Sequence, residues 1–309
     1  MTDASNPVEP KPQSRPLDES LYSIDDQALQ FMREQTGIQD PEELRKHIFA
    51  AQAEAYAIHP YNCIRKFAFV QLKLGRLPAY EQLLALGKNR KDAIFLDIGC
   101  CFGNDIRKAV HDGYPVENIV ASDLHPEFWE AGHHLFKSTP ETFPVPFVPG
   151  DAFNPAHLDP VPPFYAPPDT PRPQLSTLTS LNPLRGHVSA IHASAFFHLF
   201  DEEPQFYLAR ALGGLLSPEP GSMILGVHGG RQEKGFRTEV GRHSTHRKTP
   251  MFCHSPESWT ELWNGQVFKK GTVKVEAFLH ETPRKDLEGA PGIVPGAKFY
   301  ILVWSVTRL

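Results

Sequence analysis

The sequence predicts an α/β fold built on a mostly parallel, doubly wound sheet. Three observations carry that expectation. Short, almost continuous apolar runs recur along the chain, as strands buried on both faces require. Helical patterns separate most of them. The last two apolar runs are joined by a Gly/Pro-rich loop with no helix, so they are expected to pair antiparallel at one sheet edge.

The elements follow in order. Residues 1–20 are polar and proline-rich and read as a disordered tail. From 21 to 90 the pattern is helical, an N-terminal cover. Asp40-Pro41-Glu42-Glu43 combines a cap, a proline at the first helical position and acidic first-turn residues, so a helix runs from there to about Ile58 and stops near His59-Pro60. Ile64, Phe67, Ala68 and Leu72 at helical spacing predict a second helix over 61–74, with Gly75 as its stop, and Pro78 opens a short one ending at Leu86-Gly87. Ala93–Ile98, Ile119–Ser122, Phe147–Val148, Val188–Ile191 and Met223–Val227 read as strands, with helices over 104–112, 126–137 and 202–216. Val273–Leu279 and Phe299–Val306 complete a sheet expected to have seven strands.

Composition narrows the class. The chain has 309 residues and a formal charge of −5. No apolar run approaches the ~20 residues of a membrane span, and Met1–Pro16 contains no apolar leader, so a cytoplasmic protein is expected. An acidic chain without a basic block is not built for nucleic acid. Four cysteines without a C-x-x-C pair argue against a disulfide scaffold or a zinc site. Nine of the 30 prolines fall in 154–187, read as a surface insertion, mobile or partly ordered, or an active-site cover, inside a single domain spanning 21–309.

The chemistry concentrates at strand ends. Asp97-x-Gly99-x-x-x-Gly103 closes the first strand and opens a helix, so the backbone can approach a ligand closely. A dinucleotide fingerprint needs G-x-G-x-x-G. Cys101 breaks it, and the Asp97 carboxylate would repel a diphosphate. Asp123 ends the second strand, where a carboxylate accepts from ribose hydroxyls. Asp151, in Gly150-Asp151-Ala152, follows the third and can meet an adenine amine. Three acids at consecutive strand ends describe a site for S-adenosylmethionine, which is cationic and carries no phosphate.

These motifs, in this order and spacing, resemble the class I S-adenosylmethionine-dependent methyltransferases. His59-Pro60-Tyr61-Asn62-Cys63-Ile64, Phe95 to Gly103 and His254-Ser255-Pro256-Glu257-Ser258-Trp259 are similar to fungal methyltransferases of meroterpenoid and related secondary-metabolite pathways. The resemblance covers roughly residues 20–309. It implies a Rossmann-like seven-stranded sheet with a final antiparallel strand and a helical cover closing over the site. It implies that Asp97, Gly99 and Gly103 face the methionine portion, with Cys100 a small packing residue beside the ligand. Asp123 and Leu124 would hold the ribose and one adenine face, Asp151 and Ala152 the adenine, and His192-Ala193-Ser194 the cofactor's other side.

The substrate side is read from residues beyond the fourth and fifth strands. His198 is a candidate general base for a hydroxyl, or else a packed histidine in an aromatic turn. His228 sits at a strand end. Arg231 and Arg242 belong to a basic cluster that either binds an anionic substrate or is a solvated loop, and 231–254 reads as a lid. The expected reaction is O-methylation of a small apolar metabolite at a carboxylate or hydroxyl. C-methylation of a terpenoid or polyketide, an NAD-dependent oxidoreductase and a non-catalytic regulator are the competing readings.

Overall fold

The computed structural model describes residues 15–239, 250–284 and 292–309. Four helices come first: α1 (Asp26–Thr36), α2 (Pro41–Ile58), α3 (Asn62–Arg65) and α4 (Tyr80–Asn89). Then come β1 (Ile94–Ile98), α5 (Asn104–His111), β2 (Ile119–Ser122), α6 (Pro126–Phe136), β3 (Val188–His192), α7 (Glu202–Leu215) and β4 (Met223–Gly230). A short pair, β5 (Gly235–Phe236) and β6 (Phe252–Cys253), precedes α8 (Pro256–Trp263), β7 (Val273–Glu281) and β8 (Tyr300–Arg308). Residues 1–14 of the expected tail lie outside the described residues.

The strongest local signal is met in full. The Asp40 side chain accepts the Glu42 and Glu43 N–H groups at 3.0 and 2.9 Å, and α2 starts at Pro41. Such a cap contributes about 1 kcal/mol. The helix expected over 61–74 is instead broken. Phe67 adopts a left-handed φ of 53° with its ring fully buried against Phe49 and Tyr22, at centroid distances of 5.0 and 5.2 Å. Burying that ring outweighs helical continuity, and Gly75 lies inside a short 3-10 turn, Leu74–Arg76, rather than at a helix end.

Among the described residues the main sheet has six strands, in the order β2-β1-β3-β4-β8-β7. β2, β1, β3 and β4 are parallel, and β8 runs antiparallel to both β4 and β7. The expected seventh strand is reduced to one bridge, Ala121 to Phe147. Ala121 N–H donates to Pro146 O and Val148 N–H to Ala121 O, at 2.9 and 2.8 Å. Pro144, Pro146 and Pro149 surround this contact and have no N–H to give, so the ladder cannot extend.

The cover has its own core. Ile48, Ala51 and Ala55 of α2 pack with Phe128, Leu135 and Phe136 of α6 and with Phe102. Phe69 stacks on Phe102 at 4.5 Å, which fastens the cover to the turn after β1. The proline-rich stretch 154–187 is a packed strap. Leu158, Leu181 and Leu184 are fully buried and Leu175 is 5% exposed. Arg172 bonds Asn118 at 2.8 Å, and Arg308 bonds the Phe164 carbonyl at 2.7 Å. Prolines leave the strap without regular hydrogen bonding, so its leucines and these arginines fix its path.

Candidate active site

The four parallel strands present their C-terminal ends along one edge. Chain order reverses between β1 and β3, since β1 leads to β2 on one side while β3 lies on the other. In open α/β sheets ligands bind in the crevice at such a switch point. Asp97 and His192 are register partners across it.

Asp97 Oδ1 lies 2.8 Å from His192 Nδ1, and His192 Nε2 lies 2.6 Å from Ser194 Oγ. Asp97 and His192 are each 2% exposed, whereas Ser194 is half-buried. Burial pushes the Asp97 carboxyl up from its ordinary value, against the pull of His192. Burial also opposes charge on His192, but the Asp97 carboxylate outweighs it and holds the imidazole above its ordinary value. Ser194 Oγ further accepts the Val227 N–H at 3.2 Å, while Ala193 and Ala195 N–H donate to the Leu225 and Val227 carbonyls at 3.0 and 2.7 Å. A hydroxyl thus replaces a ladder carbonyl where β3 ends. Ala195 follows at a left-handed φ of 53°, a conformation that costs a non-glycine residue about 1–3 kcal/mol.

The turn after β1 is left-handed at Gly99 (φ 71°), Cys101 (φ 51°) and Gly103 (φ 67°). A Cβ at Gly99 would lie 3.0 Å from the Phe196 ring, and one at Gly103 would lie 2.5 Å from Trp129. Asp123 pins this turn. Its Oδ2 accepts the Cys101 N–H at 2.9 Å and its Oδ1 the His125 N–H at 3.1 Å. The N–H that a phosphate would need is therefore taken by a carboxylate. Asp123 keeps lone pairs for further donors, and burial raises its carboxyl against the two N–H bonds. Leu124, beside it, is 54% exposed, an apolar side chain held out at the strand end. Gly150 N–H donates to Asp123 O at 3.0 Å, which seats Asp151 and buried Ala152 alongside. Asp151 is exposed, and its Oδ1 accepts the Phe153 N–H at 2.9 Å. Cys100 and Ala193 are buried, and burial, then Asp123, push the Cys100 thiol well above its ordinary value.

The substrate side differs from expectation. Gly229 N–H donates to His198 Nδ1 at 2.9 Å, so the neutral ring carries its proton on Nε2. In that tautomer Nε2 has no lone pair for a substrate proton, which corrects the reading of His198 as a base. His228, expected as a substrate contact, is 3% exposed and enclosed by Phe197, Trp259 and Trp304. Its Nδ1 accepts the Trp304 Nε1–H at 3.0 Å, and burial, then His198 and His254, hold it well below its ordinary value. Arg231 is engaged by Glu239 at 3.2 Å and by the Phe236 carbonyl at 2.6 Å. It lines a hollow of about 210 Å³ with Arg237, Glu239, Lys298 and Tyr300. Arg242 lies outside the described residues.

Sequence reasoning missed several residues. Tyr61 and His59 come from the cover, where their ring centroids are 4.2 Å apart, and His59 stacks on His125 at 5.6 Å. Burial, then the nearby Asp123 carboxylate, push the Tyr61 hydroxyl up. Lys73 is half-buried and pairs with no carboxylate among the described residues, yet its charge acts on Cys63, Cys101 and His192. The string 59–64 carried a signal. Lys73 carried none.

The chain is similar to known fungal methyltransferases. A family model described as the meroterpenoid methyltransferase N-terminal domain matches residues 17–70, which form the cover. The O-methyltransferase phiE of a fungal species is 30% identical over 232 residues, 75% of this chain and 68% of that protein. The Asnovolin E/Chermesin D methyltransferase nvfJ of Aspergillus novofumigatus is 29% identical over 268 residues, 86% of this chain and 83% of that protein. The methyltransferase ausD of Penicillium brasilianum is 28% identical over 263 residues, 85% of this chain and 82% of that protein.

Proposed function

The chain belongs to a family of fungal S-adenosylmethionine-dependent methyltransferases of secondary metabolism, and we propose that it methylates an oxygen of a small, largely apolar metabolite. The observation that carries the apolar substrate is a group of half-buried aromatic rings beside the β3 end. Phe153 and Phe200 meet edge to face at 4.7 Å, and Phe196 and Phe200 at 5.7 Å, with Phe196 roofing Gly99. The name of the relative phiE supports oxygen as the acceptor.

The residues present fit the cofactor. Acids stand where a diphosphate would be repelled, the turn N–H is taken by Asp123, and exposed Leu124 offers an apolar face. In this reading Asp123 accepts from ribose hydroxyls, Leu124 and Ala152 flank the adenine, and Asp151 accepts from its amine. Gly99, Cys100, Gly103, His192 and Ala193 border the methionine portion, and Lys73 pairs with its carboxylate. Bound S-adenosylmethionine supplies a methyl group already activated by a positive sulfur. The chain's own contribution is to align the acceptor oxygen, exclude water with the aromatic rings and settle the acceptor's proton. Arg231, held by Glu239, would reach an anionic substrate only by exchanging partners.

Calorimetry with S-adenosylmethionine tests the cofactor half. Asp123→Ala should weaken binding by about 10- to 100-fold, the loss of charge-assisted hydrogen bonds. Unchanged affinity would remove Asp123 from the ribose role. Mass spectrometry and NMR of the product test the other half, since a methyl group on carbon would overturn the oxygen reading.

A further inference from the structure

We propose that Ser194, His192 and Asp97 form a proton relay that takes the proton from a hydroxyl substrate as its oxygen is methylated. The inference rests on the oxygen reading above and narrows its substrate class to a phenolic or enolic hydroxyl. A carboxylic acid, pKa about 4, arrives ionised and needs no acceptor, whereas a phenol, pKa about 10, does.

The geometry is that of a base held by a carboxylate. Asp97 accepts from His192 Nδ1–H at 2.8 Å, which fixes the neutral ring's lone pair on Nε2. That lone pair faces the Ser194 hydroxyl at 2.6 Å. Of the three residues Ser194 alone is more than marginally exposed, so a substrate meets the relay there. The backbone is shaped to deliver it. Val227 N–H bonds the Ser194 oxygen at 3.2 Å, which orients the hydroxyl, and the left-handed Ala195 turns the chain away immediately after it. The position is the switch point of the sheet, where β1 and β3 meet. His198, the histidine that the sequence offered for this task, has its Nδ1 occupied by Gly229 N–H. Other charged groups acting on His192 include Asp105 of α5 and Lys73 of the cover, opposite in sign. Asp123, which follows β2, acts on Asp97.

The step balances. The substrate O–H bond breaks and its proton passes to Ser194 Oγ as the Ser194 proton passes to His192 Nε2. The freed oxygen pair forms the O–CH3 bond, and the S–CH3 pair stays on sulfur. Imidazolium beside Asp97 carboxylate is the resulting charge state, and its proton returns to solvent through Ser194 once product leaves. Ser194 is the catalytic residue here. His192 and Asp97 act through it as positioning residues.

The test compares wild type, Ser194→Ala and Ser194→Thr on a panel of apolar phenols that includes 2-naphthol, from about pH 6 to about pH 10. Ser194→Ala should lower kcat about 100-fold at neutral pH, a far larger change than any in S-adenosylhomocysteine affinity measured by calorimetry. Wild-type kcat should level off above the His192 pKa, whereas the Ala variant should climb about tenfold per pH unit toward the phenol's own ionisation. Ser194→Thr, which keeps the hydroxyl, should restore the plateau. An O-methyl product formed by Ser194→Ala with wild-type kcat and pH profile overturns the relay and leaves the oxygen reading standing. A C-methyl product overturns both. Nitrogen NMR of the labelled wild-type protein decides independently of turnover or of the variants' folding. The relay requires Nδ1 protonated and Nε2 bare once the ring is neutral, and a neutral ring protonated on Nε2 overturns it.

Discussion

His192 ends β3 and His228 lies near the end of the neighbouring strand β4. Both rings are buried, 2% and 3% exposed, and the chain drives them in opposite directions. His192 faces a carboxylate across the switch point. His228 faces the Trp304 N–H and three aromatic rings, with its Nε2 buried and unpartnered. Burial alone expels charge from an imidazole, and an acid partner returns it. The contrast therefore separates a histidine that can carry a proton from one that is a polar member of an aromatic core.

Removing Asp97 should make His192 resemble His228, and it is the largest expected effect. Asp97→Ala takes the carboxylate from a buried pair, a change that costs about 3–5 kcal/mol. Urea unfolding measures it, and NMR titration should show the His192 pKa falling below about 6.5. Asp97→Asn serves if the alanine variant does not fold. A stability loss under about 1 kcal/mol would mean that the pair contributes little, and that His192 owes its state to another group.

Acid should act on the two histidines with opposite sign. His192 has a raised native pKa, so its contribution to stability is present below its unfolded value and is lost as pH rises through the native one. His228 is depressed, and His254 is pushed down to about 4 by burial, against the pull of Glu202. Their contributions are present above the unfolded value of about 6.5 and are lost as pH falls. His254 alone should cost about 2 kcal/mol between pH 6.5 and pH 5, at about 1.4 kcal/mol per pH unit. Urea midpoints of wild type and His254→Phe at neutral and acid pH check this, and an equal fall in both would show that His254 does not stay neutral in the native state.

How far the sequence reveals this contrast depends on how local each signal is. Asp40 and Pro41 announce α2 within four residues. Apolar runs announce β1 to β4, and strand ends place Asp97, Asp123 and Asp151 along one edge. Two failures come from competition that only packing resolves, the Phe67 ring that breaks a helical pattern and the prolines around Phe147 that stop a strand. The strap 154–187 reads as surface because proline composition says nothing of where its five leucines go, four of which are buried. The Asp97–His192 contact is hidden for another reason. Its partners are 95 residues apart, and strand order, which no local pattern encodes, makes them neighbours. Lys73 lies outside any motif for the same reason.

The smallest effect sharpens the comparison most. His228→Phe removes a ring nitrogen that accepts from Trp304 and a second that has no partner. Stranding the Trp304 N–H costs about 1–3 kcal/mol, while losing a buried, unpaired Nε2–H recovers a similar amount. The expected net change at neutral pH is within about 1 kcal/mol by urea unfolding. The variant should also destabilise less steeply on acidification, because one of the depressed histidines is gone. An isosteric apolar ring is tolerated where a histidine only fills an aromatic core. A loss of several kcal/mol would show instead that the Trp304–His228 bond organises that core, and His228 would join His192 as a histidine kept for its hydrogen bond.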